Sequence, residues 1–165
     1  MEQWLRLLDF PGYSVSNMGR VRNDRTSSIL ALGHSKSNHP FVKMWRHERQ
    51  VTRGVALLVA QAFVPLPAHR YNTPTPIHLD GDATNCQADN LTWRPRWFAN
   101  KHARQFTMNL ENPNRVRNID TGVEYDSVWN IVFEQGVLFN DVVKSIINKT
   151  YVYPLFQRFE WVDPD

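Results

Sequence analysis

The chain has 165 residues, of which 42% are apolar, with six Trp and nine Phe, enough for one compact domain or two small ones. No run approaches the ~18–20 apolar residues of a membrane span, so none is expected. The start, Met1-Glu2-Gln3-Trp4, lacks an export-signal pattern, and the single cysteine, Cys86, excludes an internal disulfide and a Cys-x-x-Cys metal site. A reduced, cytoplasmic setting is expected. Charge is uneven: residues 1–110 carry 14 Lys/Arg against 7 Asp/Glu, a net of +7, and residues 111–165 carry 5 against 9, a net of −4. A basic first two-thirds suits a polyanion, most simply nucleic acid; the plainer explanation is an ordinary solvated surface.

Tyr13 and Val15 alternate with serines, which predicts a short strand. Asn17-Met18-Gly19 reads as a turn. Arg20-Val21-Arg22 starts a second strand, with both arginines on one face, where they can reach phosphates or simply hold the turn. From Phe41 to Arg53 the pattern predicts two strands about a turn near His47-Glu48. Lys43, Arg46, Arg49 and Arg53 form the densest basic patch, and Trp45 is expected to pack inward. Residues 54–63 have one polar side chain, Gln61, and predict a buried helix stopped by Pro65 and Pro67. Residues 64–76 are expected to be an extended connection.

Residues 75–93 predict a strand carrying His78, a polar loop from Asp80 to Asp89, and a return to the core at Leu91 and Trp93. The helix expected next, around Phe98, carries Arg94, Arg96, Lys101, His102 and Arg104; it either lies along a duplex backbone or shows a solvated face. Residues 111–114 read as a linker. A hairpin then turns at Asp120-Thr121-Gly122, Ser127 caps a helix that Gly136 ends, and Asn140 caps a second helix running through Lys149. On that second helix Val142, Val143, Ile146 and Ile147 are expected on one face, with Lys144, Ser145, Asn148 and Lys149 opposite. Phe156, Phe159 and Trp161 suggest a closing strand. This is a helix-turn-helix arrangement of the kind whose second helix enters a major groove, or else a small helical cap.

The run His78, Asp80, Gly81, Asp82, Asn85, Asn90, Leu91, Trp93 resembles, in order and without gaps, the ββα core of HNH nucleases, in particular the homing endonucleases of phages and mobile elements. Gly12-Tyr13-Ser14-Val15-Ser16-Asn17-Met18-Gly19-Arg20-Val21-Arg22 is similar to the modular motif often found at the N-terminus of such proteins. Residues 115–161 more loosely resemble their C-terminal DNA-binding repeat. The resemblance implies an α+β fold of N-terminal β-hairpins, a central ββα-metal core and a small C-terminal hairpin with a helix-turn-helix. The expected division is 1–110 and 111–165.

The resemblance also implies chemistry: His78 as general base, Asn90 as the residue that orients it, and a divalent ion, Mg²⁺ or Mn²⁺, at the scissile phosphate. Three departures stand against this. The family's acidic or amide ligand before the histidine is Ile77 here, its helix asparagine is Ala99, and a His-Arg pair earlier in the chain is Ala56-Leu57. Asn100 lies one residue late, about 100° around a helix. Asp80 is the other candidate for the ion, although its position, like that of Asp82, favours shaping the loop. The candidate DNA contacts are Arg20, Arg22, Lys43, Arg46, Arg49, Arg53, Arg94, Arg96, Lys101, Arg104, Lys144, Ser145, Asn148 and Lys149.

The sequence therefore reads as a double-stranded-DNA-binding protein on an HNH scaffold, phage- or mobile-element-encoded and working in the host cytoplasm, with impaired or lost nuclease activity. One alternative is an active nicking or double-strand-cleaving endonuclease using His78 and Mg²⁺ or Mn²⁺. Another is a non-enzymatic regulator that binds a host protein through Trp129, Phe133, Phe139 and Phe156.

Overall fold

The first strands form a meander because their short apolar runs are separated by tight turns. In the computed structural model, which describes residues 1–67 and 71–162, β1 (Trp4–Arg6), β2 (Tyr13–Ser16), β3 (Val21–Asn23) and β4 (Ser28–Ile29) are antiparallel neighbours in that order. Val15 pairs with Val21 and both are fully buried. The serines of β2 are buried too: Ser14 Oγ donates to Asp24 at 2.9 Å, and Ser16 Oγ accepts from Met18 N and Arg20 N at 3.3 and 3.1 Å. Their hydroxyls thus brace the turn instead of facing water.

A second sheet runs β5 (Gly33–His34), β6 (Pro40–Arg46), β7 (Arg49–Gly54). His47 and Glu48 both have positive φ, 45° and 62°, the two-residue hairpin turn whose twist matches its strands. The register pairs Val42 with Arg53, Met44 with Val51 and Arg46 with Arg49, so these six side chains share one face. Val42 and Met44 are fully buried there. Trp45 falls on the other face with Lys43 and is 58% exposed, which corrects the inward packing expected for it.

Helix α1 (Val55–Phe63) buries Val55, Leu58, Val59 and Ala60; Gln61 is exposed and Leu57, Ala62 and Phe63 are half-buried. Its last amide bond, Val64 N to Ala60 O, precedes Pro65, which has no amide to continue it. Of the extended connection expected over 64–76, residues 68–70 lie outside the described residues. β8 (Pro74–His78) and β9 (Leu91–Pro95) then pair antiparallel from Pro74↔Pro95 to His78↔Leu91, and α2 (Arg96–Gln105) follows directly.

Chain contacts divide the protein into two compact units, Met1–Ala99 and Asn100–Asp165, so α2 runs across the division. In the first unit one core gathers Leu7, Phe10 and Val15 from the meander, Met44 from β6, Leu58 and Val59 from α1, and Cys86, Leu91 and Trp93 from the His78 region.

The second unit has a sheet of order β11 (Glu124–Tyr125), β10 (Val116–Asn118), β12 (Phe159–Trp161), with α3 (Val128–Gln135) and α4 (Phe139–Asn148). Ser127 stands at the N-cap position of α3, but its hydroxyl donates to Asn130 Oδ1 at 2.6 Å and makes no capping bond to the backbone; Gly136, at φ 60°, ends the helix. The position preceding α4 is Leu138, with Asn140 inside the first turn, so Asn140 is not its cap. Phe139, Val142 and Ser145 are the buried residues of α4, whereas Ile147 is 68% exposed. The inward face is therefore rotated from the expected one. Ser145 fits inside because its hydroxyl bonds its own helix, Oγ to Val142 O at 2.8 Å. Phe156 is 62% exposed and lies outside β12. With four α-helices and several small sheets among the described residues, the fold is α+β, as the resemblance implied.

A close junction in the first unit is at Gly19, with φ +84°, where an added Cβ would sit 3.2 Å from Cys86 Cβ and 3.3 Å from Cys86 O. Gly19→Ala is expected to lower stability by ~1–2 kcal/mol through backbone strain and this contact. Urea unfolding checks it; an unchanged midpoint contradicts the packing.

Candidate functional site

Residues 79–90 form a loop closed by its own side chains. At its base Leu79 N donates to Asn90 O at 2.9 Å and Asp80 N to Asn90 Oδ1 at 3.1 Å. Asn90 Nδ2 donates to Asp80 Oδ1 and to Asn85 O, both at 2.9 Å. Asp80 Oδ1 also accepts from Asp82 N at 2.9 Å, and Asp80 Oδ2 from Asn85 Nδ2 at 2.7 Å. Asp82 Oδ1 accepts from both Thr84 N and Thr84 Oγ1, at 2.8 and 2.7 Å, and these bonds hold its carboxyl below its usual range. Both aspartates thus shape the loop.

His78 ends β8 at the mouth of this loop and is 8% exposed. Its Nε2 lies 3.8 Å from Cys86 Sγ. Burial, and next the neighbouring His39, lower its pKa, against the smaller opposite pull of Asp80 and Asp82. The imidazole is thereby held neutral, the form a general base needs. Cys86 is buried as well, and burial pushes its thiol up to about 11, so it stays protonated and unreactive.

Asn90 does not serve His78 as the resemblance implied: both ends of its amide are engaged within the loop. The donor set does not fit a hard divalent ion, which needs several oxygen ligands. Ile77 is apolar and 4% exposed, and the Asp80 carboxylate already accepts three hydrogen bonds. Among the described residues, no group of three His, Cys, Asp or Glu is arranged to hold a metal. Asn100 is exposed on α2 and belongs to the second unit.

His39 was not singled out by sequence reasoning, yet its ring centroid is 5.8 Å from that of His78. It is exposed, just before β6, in a turn that Ser35 closes: Ser35 N donates to His39 O at 3.0 Å and His39 N to Ser35 Oγ at 3.1 Å. No local motif marks it; it lies in the turn between β5 and β6, which the fold brings against the end of β8.

The expected basic contacts are dispersed. Arg20 is ion-paired with Glu2 and Arg22 with Asp24, and both guanidinium groups lie over the Trp4 ring, at 5.7 and 4.6 Å from its centroid. Arg46 and Arg53 lie over Phe10, at 5.8 and 5.4 Å, and line a groove of about 600 Å³. Arg49 shares their face, whereas Lys43 points to the opposite one. Arg94 is only 9% exposed and donates to Trp93 O at 2.9 Å, so it is a packing residue and not a surface contact. Arg96, Lys101 and Arg104 are exposed on α2, and Lys144, Asn148 and Lys149 in and just after α4; Ser145, at 2% exposure, is not a surface contact.

Two outcomes follow. Asn90→Ala removes three loop hydrogen bonds and is expected to cost ~2–3 kcal/mol in urea unfolding; a cost under ~0.5 kcal/mol would contradict the network. Because the folded-state pKa of His78 lies below its unfolded value, the unfolded chain takes up more protons as pH falls, and stability present above pH ~6.5 is lost below it. His78→Gln should show a smaller loss of urea midpoint than wild type between pH ~7.5 and ~5.5; equal losses would contradict the burial of a neutral ring.

Residues 2–53 match the model of the NUMOD4 motif. The chain is 28% identical over 91 residues to an uncharacterized HNH endonuclease of Acanthamoeba polyphaga mimivirus, covering 55% of this chain and 26% of that relative, so it spans about a quarter of the relative's length. A solved structure described as DNA binding and cleavage by the HNH homing endonuclease I-HmuI superposes with a TM-score of 0.55 at 20% identity, covering 99% of both chains. The chain carries a NUMOD4 motif and has the fold of an HNH homing endonuclease.

Proposed function

We propose that this protein binds double-stranded DNA as an HNH endonuclease-like protein of phage or mobile-element type, with a hydrolytic site that is impaired or lost. The observation that carries the second half is the pairing of Ile77 with an Asp80 carboxylate already bound by three loop donors. The site keeps its histidine and its loop, but position 77 offers no oxygen and the Asp80 carboxylate is already engaged. DNA binding is supported by the net +7 of residues 1–110, by the exposed Arg49, Lys43 and Arg96, and by the likeness to a DNA-binding homing endonuclease. In this reading residues 111–165 form a second DNA-reading module that presents Lys144, Asn148 and Lys149. Its arginines are engaged internally, Arg115 and Arg117 by Glu124 and Arg158 by Asp120, which leaves the contact to the side chains of α4 and its C-cap.

A second reading, a working metal-dependent endonuclease, is favoured by one observation: His78 is buried and held neutral, as a base must be. Supercoiled plasmid incubated with the protein in Mg²⁺ and then Mn²⁺, beside His78→Ala, separates the two, with a gel shift on the same preparation. The expected result is a salt-sensitive shift with nicking absent or barely above background. Robust metal-dependent nicking abolished in His78→Ala would establish the second reading. Absence of any shift at low salt would contradict both.

A further inference from the structure

His78, at the end of β8, and His39, in the turn before β6, are far apart in sequence, yet their rings lie 5.8 Å apart, tilted by 44°. We propose that the two imidazoles form a phosphate-binding pair that holds one backbone phosphodiester of duplex DNA at the mouth of the β8–β9 loop. The proposal rests on the DNA-binding reading above and adds the residue that contacts the backbone at this site.

Reach comes first. An imidazole N–H meets a phosphate oxygen at about 2.9 Å. Two rings at this separation can each offer a nitrogen to a different oxygen of one phosphate. His78 Nε2 lies 3.8 Å from the Cys86 thiol, and the phosphate contact is therefore assigned to Nδ1. His39 is exposed and free of side-chain hydrogen bonds among the described residues, while its backbone is fixed at both N and O by Ser35. The buried Pro40 anchors the next position. A side chain presented on a fixed backbone loses less freedom on binding than one on a loose loop.

Charge comes second. A phosphate entering here meets two carboxylates, Asp80 and Asp82. Asp80 accepts three loop donors and Asp82 two from Thr84, which disperses their charge and leaves them poor competitors for the imidazole protons. Cys86 remains a neutral thiol. At position 77, where an acidic side chain would repel the phosphate unless an ion neutralised it, the chain has isoleucine. The same substitutions that leave a metal ion without ligands therefore make the site more favourable to a bare phosphate.

The test is anisotropy with a labelled duplex of about 30 base pairs over a salt series, using wild type, His39→Gln and His34→Gln, with ¹H–¹³C spectra of the histidine rings. His34 is an exposed histidine of the same sheet, in β5, and serves as the control. His39→Gln is expected to bind about three- to tenfold more weakly, His34→Gln to bind as wild type, and the His39 and His78 ring signals both to move on adding duplex. Wild-type affinity and salt slope in His39→Gln, or a His39 signal that does not move while wild type binds, would overturn the pair and leave the DNA-binding reading standing. Failure of wild type to bind duplex at low salt would overturn both.

Discussion

The Asn90 side chain closes the loop around which the site is built. It joins the end of β8 to the start of β9, accepting from Asp80 N and donating to Asp80 Oδ1 and Asn85 O. Asp80 then passes the constraint to Asp82 N and Asn85 Nδ2. Each bond is worth about 1 kcal/mol by itself, but they share atoms and so form as a set. The result is a rigid rim beside His78, built from the carboxylate that would otherwise be the nearest oxygen ligand for an ion.

That loop is held in place by the N-terminal motif. Ala88 N donates to Asn17 O at 2.8 Å, and Gly19 lies against Cys86. Val15 and Val21 of the motif belong to the same buried cluster as Leu91 and Trp93. The motif and the His78 hairpin are thus one folding unit, and a change at the Gly19 turn is felt at the site through a few side chains. The second unit has its own core of Val116, Val128, Ile131, Val142 and Phe159.

Much of this was legible because local rules and motif spacing agree. The turn at His47-Glu48, the end of α1 before Pro65, the Ser127 start and Gly136 stop of α3, and the loop-shaping roles of Asp80 and Asp82 each follow from short-range chemistry. The misreadings arise where tertiary packing chooses between two faces. Trp45 reads as core by its size, but Val42 and Met44 already fill the inward positions of β6. Ser145 reads as surface by its polarity, but its hydroxyl satisfies itself on Val142 O and lets a small side chain sit inward, turning Ile147 outward. Arg94 reads as a phosphate contact, yet the carbonyl beside it and the Phe98 ring hold it inside. His39 could not be read at all, since its nearness to His78 is a product of tertiary packing and of no local pattern.

In the proposed function the Asp80 carboxylate is structural, and the scaffold binds DNA without a ligand set for an ion at His78. Diffraction from the protein bound to duplex DNA in Mn²⁺, recorded at a wavelength where manganese scatters anomalously, tests it directly. The account predicts the Asn90–Asp80 bonds intact, a backbone phosphate against His78 and no manganese peak on Asp80. Manganese coordinated by Asp80, with Asn90 turned away, would contradict it.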